Sequence, residues 1–197
     1  MKKSRANLHG THGPWGDSKR HLPLAELECG FAELSPPKDH GELALLVSRA
    51  DDGVRTLRDR VTLSIEEGMP DDAWFRDSPE DPEAQLAVMR VDVARLVANG
   101  QPIALAGDNL FVDLDLSVAN LPLGSRLRIG GAGGVELEVT PKPHNGCLKF
   151  RERFGDDALR LTAAAPFRDL RLRGIYLKVV EAGEVAVGDA IEVTSRG

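Results

Sequence analysis

Residues Ser125–Thr140 read SRLRIGGAGGVELEVT. Leu127 and Ile129 alternate with Arg126 and Arg128, and Val135, Leu137 and Val139 alternate with Glu136 and Glu138. A period of two in each half, with the glycines of GGAGG between them, predicts a β-hairpin with one apolar face. Its other face would set a row of arginines beside a row of glutamates, which supports the pairing. Similar stretches lie on both sides. Downstream, GIYLKVVEAGEVAVGDAIEVT (Gly174–Thr194) is punctuated by Gly183 and Gly188-Asp189. Upstream, ELALLVSR (Glu42–Arg49) and VRTLRDRVTLSIEE (Val54–Glu67) are separated by the turn ADDG, a second hairpin signature. Many short strands closed by glycine turns predict a mostly β fold with peripheral helices. A closed antiparallel β-barrel is the arrangement that removes exposed edges.

Between these strands, GMPDDAWFRDSPEDPEAQ (Gly68–Gln85) is dense in Asp and Pro and reads as a loop. After it, Leu86, Met89, Val93 and Leu96 recur at helical spacing. SPED supplies capping residues and Asn99-Gly100 a stop, so one helix is expected over Gln85–Ala98. The first 21 residues show neither period and read as a flexible N-terminal tail, which leaves 22–197 as a single domain. The tail holds His9, His12 and His21, with no neighbouring carboxylates or thiols to complete a metal shell.

A net charge of −6 over 197 residues argues against nucleic acid as a partner. No apolar run approaches the ~18–20 residues of a membrane span, and no apolar segment follows the charged start. No membrane association is expected, and the expected location is cytoplasmic. Two cysteines, Cys29 and Cys147, are too few for a disulfide framework and would be kept reduced there.

Cys147 stands in TPKPHNGCLKF (Thr140–Phe150), after the loop pair Asn145-Gly146. Phe150 and Phe154 follow at i,i+4 spacing, which places Cys147 at or near a helix N-terminus. Lys149, Arg151 and Arg153 add positive charge, and His144 lies three residues upstream. A thiol in that field is expected to have thiolate character, the form that binds a soft metal or carries sulfur. Each residue also has a plainer role open to it. Cys147 can be a buried small hydrophobe, the three cations a solvated helix face, and His144 a surface residue. Tyr176 can face a pocket or solvent, and Cys29 reads as ordinary packing.

The succession GDNL (Gly107–Leu110), LPLGSRLRIG (Leu121–Gly130), LEVT (Leu137–Thr140), a lone cysteine, RGIYLKVV (Arg173–Val180), AGEV (Ala182–Val185) and GDAIEV (Gly188–Val193) resembles a MOSC domain. This is the β-barrel module of molybdenum cofactor sulfurases and amidoxime-reducing enzymes, also found as stand-alone bacterial proteins. Two positions depart from the family pattern: Gly146 stands where many relatives have proline, and GMPDD (Gly68–Asp72) places Asp71 where a glycine is expected.

The resemblance implies that Cys147 ligates the molybdenum of a pterin cofactor or carries sulfur for it. Because that cofactor ends in phosphate, Lys149, Arg151 and Arg153 gain a role, and Arg168, Arg171 and Arg173 become candidates for a second anion-binding wall. Asn109, His144, Asn145 and Tyr176 are further candidate contacts, although Gly107-Asp108-Asn109 can equally be a turn. The expected partners are a small-molecule substrate or cofactor and an electron-donor or sulfur-donor protein, because the chain carries no iron–sulfur cysteine cluster and no flavin or nicotinamide motif. Three functions stay open: a reductase of N-hydroxylated compounds or sulfur transferase, a non-catalytic carrier of cofactor or sulfur, and a thiol redox sensor.

Overall fold

The computed structural model describes residues 14–50, 53–77 and 81–197. Along them run helix α1 (Leu24–Ala32), strands β1 (His40–Arg49), β2 (Arg55–Arg58) and β3 (Arg60–Leu63), and the short helix α2 (Ala73–Asp77). Strand β4 (Leu86–Arg90) leads directly into helix α3 (Val91–Ala98), followed by strands β5 (Leu110–Asp113), β6 (Arg126–Ile129) and β7 (Val135–Val139). Helices α4 (Leu148–Phe154) and α5 (Asp156–Ala163) precede strands β8 (Ile175–Glu181), β9 (Gly183–Ala186) and β10 (Ala190–Ser195).

Strands β10, β6, β7, β8, β4, β5 and β1 hydrogen-bond in that order, and β1 pairs back to β10, so the sheet closes into a barrel. Outside the ring, β2 extends β1 as a hairpin, and β3 pairs with β9 as a separate ribbon. The barrel is mixed rather than purely antiparallel: β4 and β5 run parallel, with Val88 opposite Leu110 and Arg90 opposite Val112. A parallel pair cannot be joined by a tight turn, and α3 with the 3-10 turn Ile103–Ala106 forms the crossover.

The helix expected over Gln85–Ala98 is therefore strand in its first part. Leu86–Arg90 is buried at every position, since it lies between two barrel neighbours and under the helical layer. A short continuous apolar run suits such a strand as well as a helix. Asn99 ends the helical part in the left-handed conformation, as its place before Gly100 suggested. The segment read as loop before β4 contains α2, whose start is capped by Asp72 accepting from the amide of Trp74 at 3.0 Å.

Two apolar cores result. Leu86, Val88, Leu110, Val112, Leu127, Leu137 and Ile175 fill the barrel, while Met89, Phe111, Phe150, Phe154 and Leu161 seal its outer wall against the helices. Strand β1 supplies both, and a register shift between Leu43 and Leu45 lets Leu43 and Leu46 face the same interior. On β6 and β7 the expected charge rows meet. Arg126 lies opposite Glu138 and Arg128 opposite Glu136, and Lys178 of β8 joins Glu138 at 2.7 Å.

Of the expected tail, Met1 to Gly13 lies outside the described residues. Pro14–His21 is mostly exposed and is tied to the rest of the chain by hydrogen bonds. The amide of Asp17 donates to Gln101 Oε1 at 2.6 Å and Asn99 Nδ2 donates to the carbonyl of Arg20 at 3.1 Å. These bonds involve isolated polar groups far apart in sequence, which no periodicity announces. Among the described residues no helix is long and apolar enough to cross a membrane.

Candidate functional site

The end of β1, the start of β2, α2, the turn before β5, the cysteine loop, α4 and the start of β8 surround a cavity of about 400 Å³. Five arginines and a lysine line it: Arg49, Arg55, Arg76, Arg153, Arg173 and Lys149. Cys147 is exposed in its wall, as the residue that precedes α4 in extended conformation.

Two buried carboxylates hold two of the guanidiniums from behind. Asp72 binds Arg49, receiving its Nε at 3.0 Å and a terminal nitrogen on the other oxygen. Burial opposes both charges, yet the pairing more than reverses it, so the Arg49 pKa is raised and that of Asp72 lowered. Asp108, fully buried, accepts from one nitrogen of Arg173 at 2.8 and 2.9 Å. Arg173 also lies 4.9 Å above the ring of Phe150, which spreads its apolar contact.

Two other lining arginines shift in the opposite direction. Burial first, and then the charges of Arg153 and Arg49, lower the Arg55 pKa to about 10. Burial also lowers Arg153, with Cys147 opposing and Arg173 adding to the effect. His144 is enclosed, its Nδ1 3.5 Å from Asp108 and its ring 4.4 Å from that of Tyr176. Burial, followed by the charges of Arg173 and Arg49, holds its pKa well below 6.5, so the imidazole is neutral. Nδ1 of His144 and Nε of both Arg55 and Arg173 are buried without a hydrogen-bond partner.

The structure brings Cys147, His144, Asn145, Lys149, Arg153, Arg173 and Tyr176 to this one cavity. It separates three other candidates from it. Asn109 is fully buried, where Oδ1 accepts from the Ala87 amide at 3.0 Å and Nδ2 donates to the Val47 carbonyl at 3.3 Å; it ties β4 to β1. Arg151 faces outward toward Asp156, 3.6 Å away. Arg171 spends its guanidinium on the carbonyls of Leu121, at 2.6 Å, and Leu116. Arg171 and Arg168 line a second cavity of about 400 Å³ across the Pro141–Gly146 loop.

His144, expected at the surface, is enclosed because its loop folds back over β8, with Nδ1 close to Gly174. Arg49, Arg55, Arg76, Asp72 and Asp108 were not among the candidates. Asp108 and Asp72 stand in GDNL and GMPDD, the two stretches compared with the family pattern, whereas Arg49, Arg55 and Arg76 lie in stretches read only as strand or loop.

The profile of the MOSC domain matches residues 81–192, more than half of the chain. The chain belongs to the MOSC domain family. In fold this MOSC barrel is similar to the YuaD protein from Bacillus subtilis, with a TM-score of 0.60 and 18% identity over 78% of this chain and 95% of that one. YiiM from Geobacillus stearothermophilus gives a TM-score of 0.54 at 12% identity, over 80% of this chain and 76% of that one. YiiM from Escherichia coli gives 0.50 at 20% identity, over 79% of this chain and 71% of that one. No curated protein sequence matches the chain.

The two departures from the MOSC pattern now have physical descriptions. Asp71 has φ 58°, the left-handed region in which glycine is most at ease and Asp is among the better tolerated alternatives. Its carboxylate takes a bond from Arg58 at 2.9 Å. Gly146 sits against Leu159, whose Cδ1 a Cβ at position 146 would strike.

Proposed function

We propose that the cationic cavity binds the phosphate end of a molybdenum-pterin cofactor, and that Cys147 offers its sulfur to the metal. The observation that carries this reading is the gathering of five arginines and a lysine around one cavity in a chain of net charge −6. The buried Nε donors of Arg55 and Arg173 lack acceptors there. Such groups are costly when left unmade, and a many-oxygened anion is their natural complement.

Among the described residues no three His, Cys, Asp or Glu side chains come together as metal ligands. A metal at Cys147 would thus arrive with its other ligands, as one carried by an organic cofactor does. The residues present fit the group. When bound, it supplies two-electron redox chemistry.

The chain's own residues bind and orient. Arg55 and Arg153 hold the anion; Arg49 and Arg173, fixed by Asp72 and Asp108, aim their guanidiniums at it. Neutral His144 can keep a proton on Nδ1 toward Asp108 and present Nε2 as an acceptor, with Tyr176 packed on its ring. As an enzyme the protein would reduce N-hydroxylated compounds or transfer sulfur, taking electrons or sulfur from another protein. Its two cysteines, Cys29 and Cys147, form no ferredoxin-like cysteine cluster. An exposed reduced thiol suits the cytoplasm.

Protein made in a host that synthesises the cofactor should purify with about one molybdenum per chain. Cys147→Ser and Arg55→Gln should each lower that content while leaving the circular dichroism spectrum unchanged. Equal loading of both variants and wild type, or none in wild type, overturns the proposal.

A further inference from the structure

Arg153 is held from outside the cavity that it lines. Its Nε donates to the carbonyl of Pro14 at 3.1 Å and a terminal nitrogen donates to the carbonyl of Leu105 at 2.8 Å. Its own carbonyl oxygen receives Gln101 Nε2 at 3.2 Å and lies 3.2 Å from His21 Nε2. Gln101 also takes the amide of Asp17, so a single side chain joins α4 to the N-terminal segment. Gly16 runs so close to Arg153 that a Cβ on it would collide with the arginine's carbonyl group.

No residue of Pro14–His21 belongs to either apolar core, and the segment lies outside residues 81–192 matched by the family. Its polar contacts instead gather around the cavity-lining Arg153: the Pro14 carbonyl takes its Nε, His21 meets its backbone carbonyl, and Asp17 bonds the Gln101 side chain that also donates to that carbonyl. Arginine has many rotamers, and a guanidinium already fixed by two carbonyls loses less freedom when an anion arrives.

We propose that Pro14–His21 is a positioning strap, which fixes the aim of Arg153 and thereby sets the affinity of the cavity for a phosphate-type anion. This rests on the anion-binding reading given above. Gly16 and Gln101 act through Arg153; they do not touch the ligand.

The test is calorimetric titration of the full chain with inorganic pyrophosphate, comparing wild type, Gly16→Ala, Arg153→Gln and the double variant. Gly16→Ala should lift the strap and weaken binding roughly tenfold, the scale of one charged hydrogen bond. Arg153→Gln should weaken it at least as much, and the double variant should be no worse than Arg153→Gln alone. A strap that only stabilises the fold would lower the melting temperature without changing affinity, or would cost the same factor in both backgrounds. Either result overturns the inference. If Gly16→Ala fails to fold, Gln101→Ala loosens the same grip without a collision and should show the same loss that vanishes in the Arg153→Gln background. Arg55→Gln separates the two claims. If it weakens binding and Gly16→Ala does not, only the strap falls. If wild type does not bind, or Arg55→Gln binds equally well, the cavity reading falls and the strap inference with it.

Discussion

His144 is a buried imidazole facing a carboxylate, Asp108, on one side and the guanidiniums of Arg173 and Arg49 on others, with Tyr176 against its ring. Its pKa is depressed by burial first and by those cations second, from 6.5 to well below that value. Between the two values the unfolded chain takes up a proton that the folded chain refuses. The stability contributed by the neutral ring is complete above 6.5 and is lost as pH falls toward the folded pKa. For one group the slope is at most about 1.4 kcal/mol per pH unit. Melting temperatures measured from neutral pH down to about pH 5 should fall more steeply for wild type than for His144→Asn. Parallel curves would show that burial of the ring has no such effect. The same residue marks how little a side chain's surroundings can be read from its type. "PHNG" is loop chemistry, but whether the loop turns its histidine out or in depends on the strand beneath it.

Elements with their own periodicity were legible. The β6–β7 hairpin declared its apolar face and its charge ladder together, because both alternate with the pleat. The β4–α3 junction was not legible, since Leu86, Met89, Val93 and Leu96 satisfy a helical spacing by coincidence across a change of structure. Only tertiary burial on both faces distinguishes the strand. The site suffered from a related ambiguity. Arg151 and Arg153 are two residues apart on one helix, so they cannot share a face, and sequence did not say which points inward. Arg49 and Asp72 meet only because the chain between them returns to the end of β1. Asn109 shows what such long-range geometry contributes. Its side chain satisfies two buried backbone groups on different strands, so Asn109→Ala should cost about 2–3 kcal/mol in urea denaturation. Arg126→Ala, which breaks a partly exposed ladder pair, should cost less than about 1 kcal/mol. Equal costs would mean that the Asn109 bridge is not a structural tie.

On the scale of the whole molecule, the barrel closes through the pairing of β1 with β10: His40 lies opposite Glu192 and Glu42 opposite Ala190. β10 also pairs with β6, so its loss leaves unpaired edges on both β1 and β6. A chain truncated before Ala190 should expose both neighbouring edges and associate, measurable as early elution and scattering in size-exclusion chromatography. A truncated chain that stays monomeric with an unchanged melting temperature would contradict that expectation. The closure also imposes an order in time. The first barrel strand must wait for the last, so while the chain is being synthesised β1 can hold β2 and β5 but keeps an unmated border until β10 has emerged. Contacts between such distant parts of a chain form slowly, and the interval before they form is when a ribosome-bound chaperone would have most to protect.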